Sequence, residues 1–248
     1  MVQNWWRRYL FETLYQNRYL YQLASTIPFA GQWRTWQRLV LSRLHGYSVL
    51  ELGCGLGDLM ADMIEAGYDC RAIEKSPEMV AAAQSKLQQR QCGQVDWIIE
   101  GEAQYLPFGS SSFDTVVSTF PSEYIFEPQS ISEVKRVLRS GGRLIVVVGA
   151  NLLTVDPMQL FMLLSQSRIS ESNTLWETSH HGNQYNDKVS SQSVDEPRFR
   201  MQNITINTEP ISNIELGRLI PLEKYGFRYW YERVYSQYWE AFIAIGEK

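Results

Sequence analysis

Glu51, Gly53, Gly55 and Gly57 recur at every second position within Val49-Leu50-Glu51-Leu52-Gly53-Cys54-Gly55-Leu56-Gly57-Asp58. Glycine enters φ > 0 at no steric cost and lets a ligand touch the main chain. The amphipathic residues 59–66 that follow predict a helix, whose first turn presents unpaired N–H groups and the positive end of a dipole. A carboxylate-bearing or otherwise anionic ligand is suited to that place. The dinucleotide fingerprint G-x-G-x-x-G, counted from Gly53, requires glycine at 58. Asp58 stands there instead, and an acid would face the pyrophosphate. A glycine-rich turn without any ligand is the plain alternative.

Two further stretches carry chemistry. Glu74 follows Gly53 by 21 residues, at the carboxyl end of the strand expected over 69–73. An acid at that place can accept both ribose hydroxyls of a nucleoside; a solvated surface acid is the commoner fate of a lone glutamate. Gly101-Glu102-Ala103 precedes Leu106-Pro107-Phe108, either a solvent-facing turn or an acid beside an apolar wall.

The spacing E-x-G-x-G-x-G of Glu51, Gly53, Gly55 and Gly57 resembles the first motif of the class I S-adenosylmethionine-dependent methyltransferases. Residues 72–79, which include Glu74 and Lys75, then 101–108, 113–119 and 133–148 follow in that family's order. The resemblance spans about residues 47–150 and is nearest to the ubiquinone/menaquinone-biosynthesis and phospholipid N-methyltransferase-like subgroup. Thr119-Phe120-Pro121-Ser122-Glu123-Tyr124-Ile125 looks like an uncharacterised bacterial branch of it. The resemblance implies S-adenosylmethionine as cofactor, wrapped by Glu51, Gly53, Cys54, Gly55 and Gly57. Glu74 and Lys75 would lie at the ribose, Glu102 and Ala103 at the adenine, and Thr119 and Phe120 beside them. Glu102 stands where the family commonly has aspartate. Members often carry a Tyr-Asp pair in an N-terminal helical region; here Tyr21-Gln22 is the nearest match and the aspartate is missing.

The acceptor side is less defined. A sulfonium methyl is already electrophilic, so alignment does most of the work. A base is needed only where the acceptor must lose a proton. Glu123 and Tyr124 are candidates, since class I enzymes place their acceptor site after strand four. His180 and His181 are candidates too, against the blander reading of histidines on a polar loop. Tyr15, Tyr19 and Tyr21 are candidate substrate-contacting residues. The implied acceptor is a small, apolar molecule, quinone-, lipid- or secondary-metabolite-like. A non-catalytic cofactor-binding or membrane-peripheral module, or a nicotinamide oxidoreductase, are the alternatives.

Alternating apolar runs and amphipathic stretches must position these residues. Helices are expected over 2–25 and 32–44, with strand one over 47–52, a helix over 58–65 capped by Gly67, and strand two over 69–73. Ser76-Pro77 starts a helix, and strands three and four follow over 95–99 and 113–118. Ser130-Ile131-Ser132-Glu133 has capping-box spacing, and 143–148 reads as a strand buried on both faces. After Ala150 come an apolar helix over 158–164, a polar loop or lid, a short strand near 204–207 and a helix over 214–225. Runs over 227–235 and 238–245 read as an antiparallel pair. The expected fold is a doubly wound, seven-stranded, mostly parallel α/β sheet with that antiparallel C-terminal pair and N-terminal helices. Residues 1–45 read as a lid segment and 46–248 as the cofactor-binding domain, with an insertion at about 165–208.

Composition excludes little else. Of 248 residues, 44% are apolar and 20% charged, as for an ordinary globular protein. A net charge of −4 makes no case for nucleic acid. Residues 1–45 carry six arginines, one acid and no lysine, so that segment is +5 and the remainder −9. Beside the seven aromatics of residues 2–25, this reads as a lid over the site or as a membrane-surface helix. Cys54, Cys70 and Cys92 lack metal-ligand spacing and read as the reduced thiols of a cytoplasmic protein, with no metal expected. Arg7, Arg8, Glu12 and Arg18 interrupt the N-terminus, which is not read as a signal peptide.

Overall fold

The computed structural model describes residues 32–153, 207–210 and 222–248. The element order is α1 (Trp33–Gln37, continued by a 3-10 turn, Arg38–Arg43), β1 (Ser48–Leu52), α2 (Asp58–Glu65), β2 (Asp69–Glu74) and α3 (Pro77–Gln89). Then follow β3 (Ile98–Glu100), β4 (Phe113–Thr119), α4 (Pro128–Val137), β5 (Leu138–Leu152), β6 (Asn207–Pro210), β7 (Arg228–Tyr235) and β8 (Trp239–Glu247). The sheet order is β3-β2-β1-β4-β5-β8-β7-β6. Its first five strands are parallel and β8, β7 and β6 are antiparallel to their neighbours. The order reverses between β1 and β4. In such sheets the usual ligand position lies there, beyond the carboxyl ends of the strands.

Side-chain alternation divides the core into two layers. Val49, Val117, Ile145 and Val147 face α1, α2 and α3, whereas Leu50, Val116, Leu144 and Val146 face α4. Successive strand residues point to opposite faces, so a strand covered on both must be apolar throughout. Trp36, Leu59, Met60, Met63 and Leu87 fill the first layer; Ile131, Val134 and Val137 fill the second.

Helix α2 keeps its expected bounds, and β2, β4 and the antiparallel pair lie within two residues of theirs. Gly67, at φ +93°, ends α2 with its N–H on the Ile64 carbonyl. Ser76 caps α3, accepting the Met79 N–H at 3.4 Å, with Pro77 in the first turn. Several expectations are corrected. The sheet has eight strands among the described residues, not seven, because Asn207–Pro210 adds an edge strand on β7, with Arg233 Nη1 3.0 Å from Glu209. Strand three is shorter, since Val95–Trp97 forms a 3-10 turn before Ile98. Strand five is longer, and it bulges against β8 between Val147 and Gly149. Helix α4 starts at Pro128, so Ser130 is interior and buried with no hydrogen-bond partner at its hydroxyl. Glu133 turns instead to Arg136 and the Leu106 N–H. The expected helices over 2–25 and 158–164 lie outside the described residues, as do most of the 165–208 insertion and of the helix over 214–225.

Candidate active site

The site forms where the carboxyl ends of β1, β2, β3 and β4 meet. After β1 the chain cannot continue straight, because α2 packs back over the sheet. Gly53, Gly55 and Gly57 make the turn at φ +73°, +53° and +76°. Gly53 donates its N–H to the Ile73 carbonyl at 2.8 Å, and Gly57 donates to the Cys54 carbonyl at 2.9 Å. Gly57 is also the N-cap of α2, without a side-chain cap. A Cβ there would lie 2.8 Å from the Ala83 Cβ, so α2 and α3 cross too closely for any other residue.

Glu74 joins the parts. Its Oε2 accepts the Gly55 N–H at 2.9 Å and its Oε1 accepts the Ser76 N–H at 2.9 Å. Its carbonyl accepts the Gly101 N–H at 3.0 Å. One buried acid thereby ties the glycine loop, the start of α3 and the exit of β3. Beyond Gly101, Glu102 pairs with Lys75 at 2.8 Å, and both side chains reach solvent. Ala103 and Leu106 are buried, and Phe108 packs edge-on against Phe113 at 5.0 Å.

Glu51, in β1, is only 1% exposed. Its Oε2 has no hydrogen-bond partner. Burial, followed by the carboxylates of Glu74, Asp58 and Asp62, pushes its pKa well above the ordinary carboxylate value, while Arg34 opposes the shift. Burial likewise raises the Cys54 thiol, with Glu51 and Glu74 adding to it, so Cys54 fills a small slot as an inert thiol. All three cysteines are free.

The end of β4 carries Thr119 and Phe120. Phe120 sits at φ +51°, an unusual conformation for a bulky residue. Its ring stacks on Trp33 at 4.2 Å and meets Trp36 edge-on at 6.2 Å. Gln37 Nε2 reaches the Thr119 hydroxyl at 3.5 Å. Glu123 is exposed on the 3-10 turn Glu123–Phe126. Tyr124, on the same turn, passes under the glycine loop, with its hydroxyl 3.1 Å from the Leu52 carbonyl. Tyr15, Tyr19, Tyr21, His180 and His181 lie outside the described residues.

Charge pairing holds α1 in place. Asp62, on α2, accepts Arg34 Nη2 and Arg38 Nε at 2.8 Å each and Arg90 Nη1 at 2.9 Å. Asp58 takes Lys86 at 2.5 Å. Arg34 Nη1 lies 3.1 Å from Asp58, angled as an ion pair without a hydrogen bond. Arg43 pairs with Glu232 at 2.7 Å. Three arginines of the basic N-terminal segment are thus paired with acids of the fold; Arg7, Arg8 and Arg18 lie outside the described residues. Asp58, read as an acid that would face a phosphate, faces these cations instead.

Sequence reasoning passed over Trp33, Gln37 and Ser118. Trp33 and Gln37 stand four apart, on one face of a helix, which was a usable signal. Ser118 is a hydroxyl in an otherwise apolar run, and it too was visible. Among the described residues no cluster of potential metal ligands occurs, and no helix is long and apolar enough to cross a membrane.

Residues 50–146 match the family model described as "Methyltransferase domain". Among curated proteins, the chain is 32% identical over 130 residues to the demethylmenaquinone methyltransferase of Renibacterium salmoninarum, covering 51% of this chain and 52% of that protein. It is 29% identical over 145 residues to the enzyme of the same name from Symbiobacterium thermophilum, covering 56% of this chain and 57% of the relative. The chain thus spans about half the length of the curated relatives it matches. Among solved structures, a putative S-adenosyl-L-methionine-dependent methyltransferase from Methanococcus maripaludis aligns with 18% identity and a TM-score of 0.45. It covers 63% of this chain and 71% of that one.

Proposed function

We propose that the chain is a class I S-adenosylmethionine-dependent methyltransferase, with its methyltransferase domain matched over residues 50–146, and that it transfers the cofactor's methyl group to a small apolar acceptor of quinone type. S-adenosylmethionine is the cofactor of that family. The observation that carries the reading is the placement of Glu74, whose carboxylate links the glycine loop to the start of α3 at the sheet's crossover point. The residues present suit a cationic cofactor: a loop of three positive-φ glycines, a buried Glu51 oxygen without a partner, and Glu74 and Glu102 alongside. Lys75, the cation on that edge, is already paired with Glu102.

Bound there, the cofactor supplies an electrophilic sulfonium methyl, and the protein's task is alignment. The glycine loop with Glu51 holds the amino-acid end, Glu74 the ribose, and Glu102 with Ala103 the adenine. Thr119 and Phe120 close the side from which the acceptor approaches. The Trp33–Phe120 stack presents apolar surface there, in keeping with a planar ring acceptor. Support for the quinone class comes from the curated relatives, each named as a demethylmenaquinone methyltransferase.

Isothermal titration with S-adenosylmethionine and with NADH tests the cofactor. Formation of S-adenosylhomocysteine with a demethylated quinone, compared with a phospholipid extract, tests the acceptor. Tight NADH binding without S-adenosylmethionine binding would sink the reading.

A further inference from the structure

We propose that Tyr124 is a positioning residue for the glycine loop, acting with Ser118 through the Leu52 carbonyl, and not the base that deprotonates an acceptor. The inference rests on the methyltransferase reading for its functional consequence.

Three oxygens form a triangle beneath the loop. Ser118 Oγ lies 2.9 Å from the Leu52 carbonyl oxygen, Tyr124 Oη lies 3.1 Å from the same oxygen, and the two hydroxyls are 2.7 Å apart. All three separations are in or near hydrogen-bonding range. Each hydroxyl has one hydrogen and the carbonyl has none, so two hydrogens serve three contacts. The shortest edge joins the hydroxyls. One of them therefore donates to the other, and the second donates to Leu52. Ionising Tyr124 would set a phenolate against the lone pair of the Leu52 carbonyl. That environment opposes a base.

It suits a clamp. The peptide that enters the loop is held from both sides: its carbonyl, on Leu52, by Ser118 and Tyr124 from the β4 side, and its N–H, on Gly53, by the Ile73 carbonyl from β2. The phenol also packs against the loop itself, since a Cβ on Gly53 would lie 3.0 Å from Tyr124 Oη. Gly53 needs φ +73° to start the turn. Fixing the plane of the preceding peptide fixes where that turn begins. An active-site backbone held to a fraction of an ångström preorganises its ligand contacts.

The experiment compares wild type, Tyr124→Phe, Ser118→Ala and the double variant. Amide hydrogen exchange is measured on the ligand-free proteins, and S-adenosylmethionine affinity by titration. Each single variant should speed exchange severalfold at the 52–57 amides and leave the core strands unchanged. Each should weaken S-adenosylmethionine binding by roughly three- to tenfold, the worth of one net hydrogen bond. The double variant should lose less than the product of the two, because both hydroxyls act on one carbonyl. Wild-type affinity in Tyr124→Phe, with turnover down by 10²–10⁴-fold, would make Tyr124 a catalytic base and overturn the proposal. Unchanged loop exchange would overturn it as well. If wild type itself fails to bind S-adenosylmethionine, the methyltransferase reading falls, and loop exchange still decides whether Tyr124 positions the loop.

Discussion

The carboxylate of Glu74 accepts the backbone N–H of Gly55 at 2.9 Å, so the end of β2 is fastened to the middle of the glycine loop. Its other oxygen holds the Ser76 N–H. The acid therefore shapes the loop as well as offering lone pairs to a ligand. Glu74→Ala removes both functions. Hydrogen bonds to charged groups are worth about 1.5–3 kcal/mol, so S-adenosylmethionine affinity should fall by roughly one to two orders of magnitude. Glu74→Gln keeps one acceptor oxygen and should fall between. A loss below about twofold in Glu74→Ala, read by titration calorimetry, would make the residue a structural tie alone.

Gly57→Ala tests the crossing of α2 and α3. The new methyl would meet Ala83 at 2.8 Å, on a residue at φ +76°. The backbone conformation costs about 1–2 kcal/mol for a non-glycine, and overpacking adds about 1–3 kcal/mol. Denaturant midpoints should shift accordingly with unchanged slope. Ala83→Gly in the Gly57→Ala background should recover the steric part only. If the two substitutions prove additive, the close crossing is not what makes glycine necessary.

Asp62 is the acid on which Arg34, Arg38 and Arg90 converge. Burial works against its ionisation, but the hydrogen bond from Arg38, with the charges of Arg34 and Arg38 and the bond from Arg90, holds its pKa below the ordinary value. Removing one partner of a buried pair costs about 3–5 kcal/mol. These guanidinium groups are 16–30% exposed, so Asp62→Asn should come in at the lower end of that range or below it. A depressed folded pKa gives stability that is complete above the unfolded value, about 3.9, and is lost as pH falls through the folded value. Wild type should therefore lose stability more steeply than Asp62→Asn as pH drops below about 4. Parallel acid-unfolding curves would contradict the pairing.

Glu51 has the opposite sign. Its folded pKa is raised, so the folded state keeps a proton that the unfolded chain has released. Its stability contribution is complete below about pH 4.3 and declines as pH rises toward the folded value. Glu51→Gln should flatten that decline and raise the melting temperature at neutral pH. The same variant should bind S-adenosylmethionine more weakly, since an amide, unlike the carboxyl, cannot release a proton to give a cationic ligand a carboxylate. Such an exchange of stability against function is common at binding sites. A variant that gains stability with unchanged affinity would remove Glu51 from the site.

The segment from β1 through α3 was legible because its determinants are local. Apolar runs, glycines at every second position, Gly67 past the end of α2 and Pro77 at the start of α3 each act within a few residues. The start of α4 was misread for the converse reason. Ser130 and Glu133 have capping-box spacing, but Pro128 already fits a first turn, Ser130 is buried, and Glu133 is taken by Arg136 and the Leu106 N–H. The short strand expected near 204–207 was not counted into the sheet, and Asn207–Pro210 joins it by pairing with β7.

The sequence by itself determined the α/β order, the glycine loop and the acids at the ends of the first strands, since each follows from residue type and short-range spacing. Tertiary structure alone decided what those acids touch. Glu74 reaches Gly55 and the Glu51 Oε2 is buried without a hydrogen-bond partner, while on α2 Asp62 gathers three arginines from α1, its 3-10 extension and the end of α3. Likewise, only the pairing of β4 beside β1 brings the Tyr124 hydroxyl, from the turn after β4, to the Leu52 carbonyl. The physical reason is the same in each case. Hydrogen bonding, burial and charge coupling depend on distances of a few ångströms between groups 19 to 72 residues apart in the chain, and only the packed sheet sets those distances.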